Sequence, residues 1–419
     1  MKGTKSFNIP KEVVYAAFKE IKANGGTYGV DEQSIKEYEE NLKDNLYKLW
    51  NRMSSGTYFP KPVKAVEIPK KSGGTRILGI PTVEDRIAQM VAKIIFEPCV
   101  EPMFYKDSYG YRPKKSMKQA LEATRQRCWK SDWVLEFDIK GLFDNIRHDY
   151  LMKLVEKHAK ERWVVLYIER WLKVPFQMKD GTLKQRASGA PQGGVISPVL
   201  ANLFLHYVFD DFMEKEFPTI QWARYADDGI AHCTTEKQAK YLLTRLQERF
   251  EKCGLEINLD KTKIIYCKDS NRKGTYKNIS FNFLGYSFKP RKAKTKDGRF
   301  FISFLPAISE KASKNIRGKV RNWRLQSKVG KDLQYIAAMY NKEIQGWINH
   351  YTHFYKSEAY RVLQYLNQCL IKWVRSKFKK LKSRRRAKHW LGRIAKQNKN
   401  LFAHWKYGIL PSAGKRGAV

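Results

Sequence analysis

Acidic side chains and paired cysteines are both scarce in this sequence. Asp and Glu total 41 against 81 Lys and Arg in 419 residues, a formal net charge of +40. A surplus of that size repels itself in a folded chain, so a polyanionic partner is expected to neutralise it. The six cysteines, Cys99, Cys128, Cys233, Cys253, Cys267 and Cys369, show no C-x-x-C spacing. That speaks against a zinc site, a dithiol redox motif and a disulfide framework, and a reducing cytoplasmic compartment is expected. Long hydrophobic runs are missing as well. No stretch reaches the roughly 18 uncharged apolar residues that span a bilayer. The start, MKGTKSFNIPKEVVYAAF, has no apolar run after its basic residues, so no secretory leader is expected. No internal repeat is visible.

Hydrophobic residues make up 42% of the chain, enough for a sizeable core, and the length suggests two or three domains. Aromatic residues, at 13%, are interleaved with the basic ones. Rings offer stacking faces to unpaired bases, which favours nucleic acid over an anionic membrane as the polyanion.

Residues 11–55 read as helical, broken by a glycine-rich loop at Asn24-Gly25-Gly26-Thr27-Tyr28-Gly29. Residues 61–81 read as a hairpin turning at Ser72-Gly73-Gly74. Helices are expected at 83–105, 115–130, 149–173, 236–252 and from Val199 to about Phe212. Trp133 to Ile139 alternates at period two, with Trp133, Leu135, Phe137 and Ile139 on one face. Gln221 to Cys233 reads as two short strands joined near Ala226-Asp227-Asp228, and strands are expected again around 255–268 and 280–289. From about 307 to 400 the pattern turns helical and strongly basic, and the composition shift at Lys289-Pro290-Arg291-Lys292 marks an expected domain boundary.

Asp138 stands at the end of an apolar strand, where propensity disfavours Asp and burial of an unpaired carboxylate is costly. Asp227 and Asp228 are adjacent like charges in an apolar hairpin. A bound cation relieves both. Alone, an Asp-Asp pair in a turn is usually only a turn and a strand Asp only an ion-paired residue. The order is informative: an apolar strand ending in Asp, a Pro191-Gln192-Gly193-Gly194 loop, then a hairpin carrying Asp-Asp.

In that order the three elements resemble the palm of reverse transcriptases, whose Tyr-x-Asp-Asp hallmark is similar to Tyr225-Ala226-Asp227-Asp228. Further segments resemble the group II intron reverse transcriptases, or maturases: Val66-Glu67-Ile68-Pro69-Lys70, Gly73-Gly74-Thr75-Arg76, Leu78-Gly79-Ile80-Pro81-Thr82 with Asp85-Arg86, Ser108 to Pro113, and Asp138 to Asn145. Asn24 to Asp31 resembles the extra N-terminal loop of this class, Phe283-Leu284-Gly285-Tyr286 the primer grip, and Gly346 to Tyr351 the thumb signature. The likeness runs from about residue 20 to 355, and Leu401 to Trp405 also looks like endings in this family.

The resemblance implies an α+β right-hand polymerase, with fingers and palm of antiparallel sheet plus helices and an α-helical thumb or maturase domain. The expected division is an N-terminal extension (1–60), fingers and palm (61–290), thumb (291–375) and a basic C-terminal extension (376–419). Asp138, Asp227 and Asp228 would ligate two Mg²⁺ ions, Mn²⁺ being an alternative, with the Ile139 carbonyl as an added ligand. Lys70 and Arg76 would contact the dNTP triphosphate, Phe143 would exclude a ribose 2′-hydroxyl, and Gln192 would line the nucleotide pocket. Arg112 would lie near the template, or simply pair with an acid. Leu284 and Gly285 would touch the primer, and Arg384, Arg385 and Arg386 would bind structured intron RNA. Leu142 departs from the aromatic often found at its position, which leaves its packing open. No Cys/His-rich endonuclease is expected after Cys369. The expected function is RNA-directed DNA synthesis from dNTPs on an RNA template and DNA primer, with assistance to intron splicing and retromobility. The alternatives are a catalytically idle RNA-binding splicing factor and a reverse transcriptase of another retroelement. No membrane partner is expected.

Overall fold

Side-chain caps set several helix starts. Ser34 and Glu37 close a reciprocal capping box, and Thr82, Ser309 and Asp332 each accept a hydrogen bond from the amide three residues on. The structure is a computed structural model that describes residues 6–69 and 74–411. Helices α1 (Lys11–Asn24), α2 (Ile35–Glu40) and α3 (Leu42–Ser54) come first, then strands β1 (Val63–Pro69) and β2 (Thr75–Ile80) and helices α4 (Val83–Val100) and α5 (Met117–Lys130). Strand β3 (Trp133–Asp138) leads to α6 (Leu142–Asn145), α7 (His148–His158) and α8 (Arg162–Lys173). Short strands β4 (Phe176–Gln177) and β5 (Leu183–Lys184) precede α9 (Ser197–Leu205). A π-helical turn at His206–Asp210 joins α9 to α10 (Asp211–Glu216), followed by β6 (Gln221–Tyr225), β7 (Asp228–Cys233) and α11 (Glu236–Lys252). Strands β8 (Lys263–Tyr266), β9 (Phe281–Phe283), β10 (Tyr286–Lys294) and β11 (Phe300–Ile308) lead into α12 (Glu310–Asn322), α13 (Leu333–Tyr351), α14 (Lys356–Lys377), α15 (Arg384–Gln397) and α16 (Ala403–Lys406). Among the described residues no helix is long and apolar enough to cross a membrane.

The fold is α+β, in two compact units. One comprises the described residues up to Ser116 with Leu135–Ala231 and Lys237–Thr262; the other comprises Met117–Val134, His232–Glu236 and the described residues from Lys263 on. The compact units cut across the expected boundaries. The one at 290 lies inside β10, which pairs with β11 from Tyr286↔Ile308 to Lys294↔Phe300, so the basic stretch is a strand and not a linker. The one at 375 lies inside α14. The residues beyond it are no separate extension, because Ala387, Leu391 and Ala395 repeat at the helical spacing of four and are buried in one core with Leu366, Trp373 and Trp405. The N-terminal helices likewise join the first unit, with Val14, Ala17, Phe18 and Ile21 of α1 buried.

In the first unit, β1 pairs antiparallel with β2 and parallel with β4, and β6, β7 and β3 lie side by side in that order. The helix expected over 149–173 is two, parted at Ala159–Glu161, and the one expected from Val199 to Phe212 is interrupted by the π turn. That turn ends on Asp210, which is fully buried. Its carboxylate accepts two bonds from Arg224 on β6, Nε to Oδ1 at 2.7 Å and Nη2 to Oδ2 at 2.6 Å. The same guanidinium donates to Asn202 Oδ1 (3.1 Å), Ser108 Oγ (2.8 Å) and the Ala226 carbonyl (3.3 Å). A second buried network centres on Asp85 of α4. Tyr58 Oη (2.6 Å) and Trp171 Nε1 (2.8 Å) donate to its Oδ1, and Gln89 Nε2 reaches Oδ2 at 3.4 Å. Neighbouring Arg86 donates to the Thr27 carbonyl (2.6 Å) and holds the glycine-rich loop of the N-terminal segment.

In the second unit, β11, β10 and β9 form an antiparallel sheet, and helices α12 to α16 share one apolar core. Trp323 stacks on Tyr340 and Trp347 at ring separations of 3.9 and 5.6 Å. Buried Asn367 accepts from Trp405 Nε1 at 2.8 Å, shares a 2.9 Å hydrogen bond with His404 Nε2, and donates to the Ile409 carbonyl at 2.8 Å.

Removing Arg224 as Arg224→Met leaves the Asp210 charge buried and unpaired. It should lower unfolding stability by about 3–5 kcal/mol, and Asp210→Leu on that background should recover part of the loss; denaturant unfolding of both variants checks this. Burial pushes the Asp85 carboxyl from 3.8 up to about 6 against the hydrogen bonds that favour the anion. Its protonated form therefore contributes stability that is full below 3.8 and lost as pH rises through about 6. Unfolding midpoints across that window should fall for the native chain relative to Asp85→Asn, and parallel profiles would contradict the shift.

Candidate active site

Asp138 is the last residue of β3, Asp228 the first of β7, and Asp227 sits in the two-residue turn between β6 and β7. The turn is tight: Ala226 has φ +56°, a left-handed conformation that costs an L-residue energy and recurs at functional sites. The Ile139 amide donates to the Asp227 carbonyl at 3.3 Å, which fixes the end of β3 against the turn. Gly229 makes this approach possible, because a Cβ there would stand 2.1 Å from Phe137 Cζ. The upstream carboxylate and the tandem pair, 89 and 90 residues apart in the chain, are thus brought to one place.

The electrostatics register the crowding. Burial, and then the charge of Asp138, hold the Asp227 carboxyl above its ordinary value. Lys261 answers it: its Nζ lies 2.8 Å from Asp138 Oδ2, and Asn258 Nδ2 adds a bond at 3.2 Å. The hydrogen bond to Asp138, with the charges of Asp138, Asp228 and Asp227, raises the Lys261 ammonium. Lys261 was not among the residues expected at the site. In sequence it is one more cation in a polar turn, and only the pairing of 256–258 with 138–140 brings it in. Among the described residues no group of three or more His, Cys, Asp or Glu is arranged to hold a metal ion. The Asp138 carboxylate is turned to the lysine, so one monovalent cation stands among three carboxylates. The donors are all hard oxygens, and partial burial with the charge of Asp138 raises the Asp227 carboxyl above its ordinary value. Hard oxygens are the donors that Mg²⁺ prefers.

Arg76, Phe143, Gln192 and Leu142 belong to the same unit as the carboxylates. Arg76 lies exposed on β2 opposite Ile68. Phe143, half-buried in α6, offers its carbonyl to the Ala190 amide at 2.7 Å. Gln192 binds β2 through its carbonyl, which accepts from the Gly79 amide at 2.7 Å. Gly193 at φ +112° lies so near that a Cβ would stand 2.3 Å from the Gly79 carbonyl. Leu142 is buried in the core. Lys70 lies outside the described residues.

Three placements differ in kind. Arg112 does not face outward to a template. Its guanidinium is bound to Glu101 (2.8 Å) and to the carbonyls of Tyr105 (2.6 Å) and Ser108 (2.8 Å), which leaves it a structural clamp; of the two expected roles the ion pair is the one formed. Leu284 and Gly285 form the positive-φ turn between β9 and β10 in the second unit. There His350 Nε2 lies 3.2 Å from the Leu284 carbonyl, and Ser309 donates to the Gly285 carbonyl at 3.0 Å. Arg384, Arg385 and Arg386 are exposed in the first turn of α15, where cations meet the positive end of the helix dipole.

Residues 68–288 match the family described as Reverse transcriptase (RNA-dependent DNA polymerase), and residues 313–391 the one described as Group II intron, maturase-specific domain. Group II intron-encoded protein LtrA of Lactococcus lactis subsp. cremoris is 35% identical over 198 residues, which are 46% of this chain and 32% of that protein. Protein YkfC of Escherichia coli (strain K12) is 28% identical over 336 residues, 71% of this chain and 85% of that protein. Telomerase from Candida albicans, solved with the TWJ fragment of telomeric RNA, aligns at a TM-score of 0.44 and 12% identity, covering 90% of this chain and 68% of that one. The chain belongs to the reverse transcriptase family and carries a group II intron maturase domain.

Proposed function

We propose that this chain is an RNA-directed DNA polymerase, adding dNTPs to a primer 3′-hydroxyl on an RNA template, and that its helical domain binds group II intron RNA to assist splicing and mobility. The observation that carries this reading is the meeting of Asp138 with Asp227 and Asp228 at a point where Lys261 pairs with Asp138 and feels the charges of all three. Asp138, Asp227 and Asp228, with the Ile139 carbonyl, would hold two Mg²⁺ ions, Mn²⁺ suiting the same oxygens. Bound there, the ions supply acidity to the primer hydroxyl and neutralise charge on the triphosphate.

The chain's own residues do the remainder. Asp138, which Lys261 holds here at 2.8 Å, would turn from that ammonium to hold a cation, with Lys261 remaining beside the site. Arg76, and Lys70 with it, bind the triphosphate, the first as a fork and the second as a point charge. Phe143 excludes a 2′-hydroxyl by bulk. Gln192, tied through its backbone to the strand that carries Arg76, lines the pocket. The Leu284-Gly285 turn holds the primer. At Arg384, Arg385 and Arg386 the positive charge is unfavourable at a helix start until an anion arrives, which suits an RNA phosphate backbone.

Asp227→Ala should reduce primer extension on RNA to background while leaving RNA affinity unchanged within error; continued extension would refute the site. Replacing Arg384, Arg385 and Arg386 with Gln should weaken RNA binding and flatten its log–log salt dependence by about 2 to 3. Filter binding across a salt series reads both, and an unchanged slope would make the arginines mere surface. If the protein with Mg²⁺ extends primers but accelerates splicing of no cognate intron, the maturase half of the reading is wrong.

A further inference from the structure

We propose that Tyr111 is a positioning residue for nucleotide selection, its ring bracing Phe143 so that Phe143 stands against the sugar of the incoming nucleotide. The inference rests on the polymerase reading above and adds a residue to which that reading gives no role. Tyr111 is an odd tyrosine. It is 49% exposed and has φ +58°, a left-handed conformation that a bulky side chain seldom takes and that glycine would take freely. Something must hold it there, and the loop supplies the means. Tyr109 N donates to the Arg224 carbonyl at 2.8 Å and Asn202 Nδ2 to the Gly110 carbonyl at 2.8 Å. Gly110 lies so close to the Asp-Asp turn that a Cβ would stand 2.4 Å from Ala226 N. The loop is therefore strapped to the hairpin that carries Asp227 and Asp228, and the strap aims the Tyr111 ring.

The ring meets Phe143 edge to face, with centroids 6.4 Å apart and planes at 74°. The charges of Asp227, Asp228 and Arg76 all act on its phenol. Tyr111 thus lies near both the carboxylates and the arginine that the polymerase reading assigns to the nucleotide. Phe143 sits on a helix of only four residues and is half-buried, so its own element restrains it little. A second ring at its edge limits how far it can swing. Without that ring, Phe143 is free to turn aside and admit a 2′-hydroxyl.

The test is the ratio of kcat/KM for a dNTP to that for the matching rNTP, measured by primer extension on RNA for the native chain, Tyr111→Ala, Tyr111→Phe, Phe143→Ala and the Tyr111→Ala/Phe143→Ala double variant. Tyr111→Gly is included because it removes the ring while relieving the backbone strain, and thermal melting checks that each variant folds. Tyr111→Ala and Tyr111→Gly should lower the ratio about two- to tenfold, the factor that an aromatic pair is worth. Tyr111→Phe should keep the native ratio, and the double variant should match Phe143→Ala alone. Relaxed selection in Phe143→Ala with native selection in Tyr111→Ala and Tyr111→Gly would overturn the proposal and leave the polymerase reading standing. So would equal losses in Tyr111→Phe and Tyr111→Ala, additive losses in the double variant, or folded Ala and Gly variants that incorporate neither nucleotide. Native selection in Phe143→Ala would instead remove the gate itself.

Discussion

Arg224 and Asp210 form a bidentate ion pair in which neither side chain reaches water, and the geometry of the candidate site hangs from it. Two desolvated charges are tolerable only when each is matched and the remaining donors are engaged. Here Nη1 and Nη2 also reach Asn202, the Ala226 carbonyl and Ser108, so one guanidinium joins the strand, the π turn, the helix before it and the loop that leads to Tyr111. All of these meet directly behind the turn that presents Asp227 and Asp228. A left-handed Ala226 in a tight turn would relax if its support were soft. Clamped by its carbonyl to a buried arginine, it is held.

A second set of buried polar contacts links the front of the first unit. Gln89 on α4 touches Asp85, and its Oε1 accepts the Val195 amide at 2.7 Å, which ties the helix to the Pro191–Gly194 loop. The loop is tied in turn to β2 through Gly79 and Gln192. Gln192 is therefore held by a backbone contact to the strand that carries Arg76. Arg112 makes the contrast. Its guanidinium is engaged inside the protein, and its contribution is the shape of the loop it fastens.

Charge serves two purposes in this chain. At the candidate site it is local and scarce: three carboxylates share one lysine, and burial keeps Asp227 above its ordinary value. Elsewhere it is diffuse and abundant, as the net +40 shows. The helical domain hides its apolar face in one core through Leu391, Ala395 and Trp405 while Arg384, Arg385 and Arg386 stay exposed. What reads in sequence as a basic tail is an amphipathic helix whose other side is structural.

The sequence by itself determined the strand that ends in Asp138, the hairpin that carries Asp227 and Asp228, most of the helices and the family motifs, because period-two alternation, helical spacing and turn residues act over a few positions. It did not determine where the units divide, since the basic segment at 289–292 is β-paired and that pairing depends on a partner strand beyond it. Nor did it reveal Lys261, Arg224 with Asp210, the inward turn of Arg112 or the contact between Tyr111 and Phe143. Each of these joins residues far apart in the chain, and a charge or a ring carries no local signal of whether it will face water or another side chain. Tertiary structure decided those pairings, because the cost of burying a charge or leaving a ring loose is met only by a group that packing brings within reach.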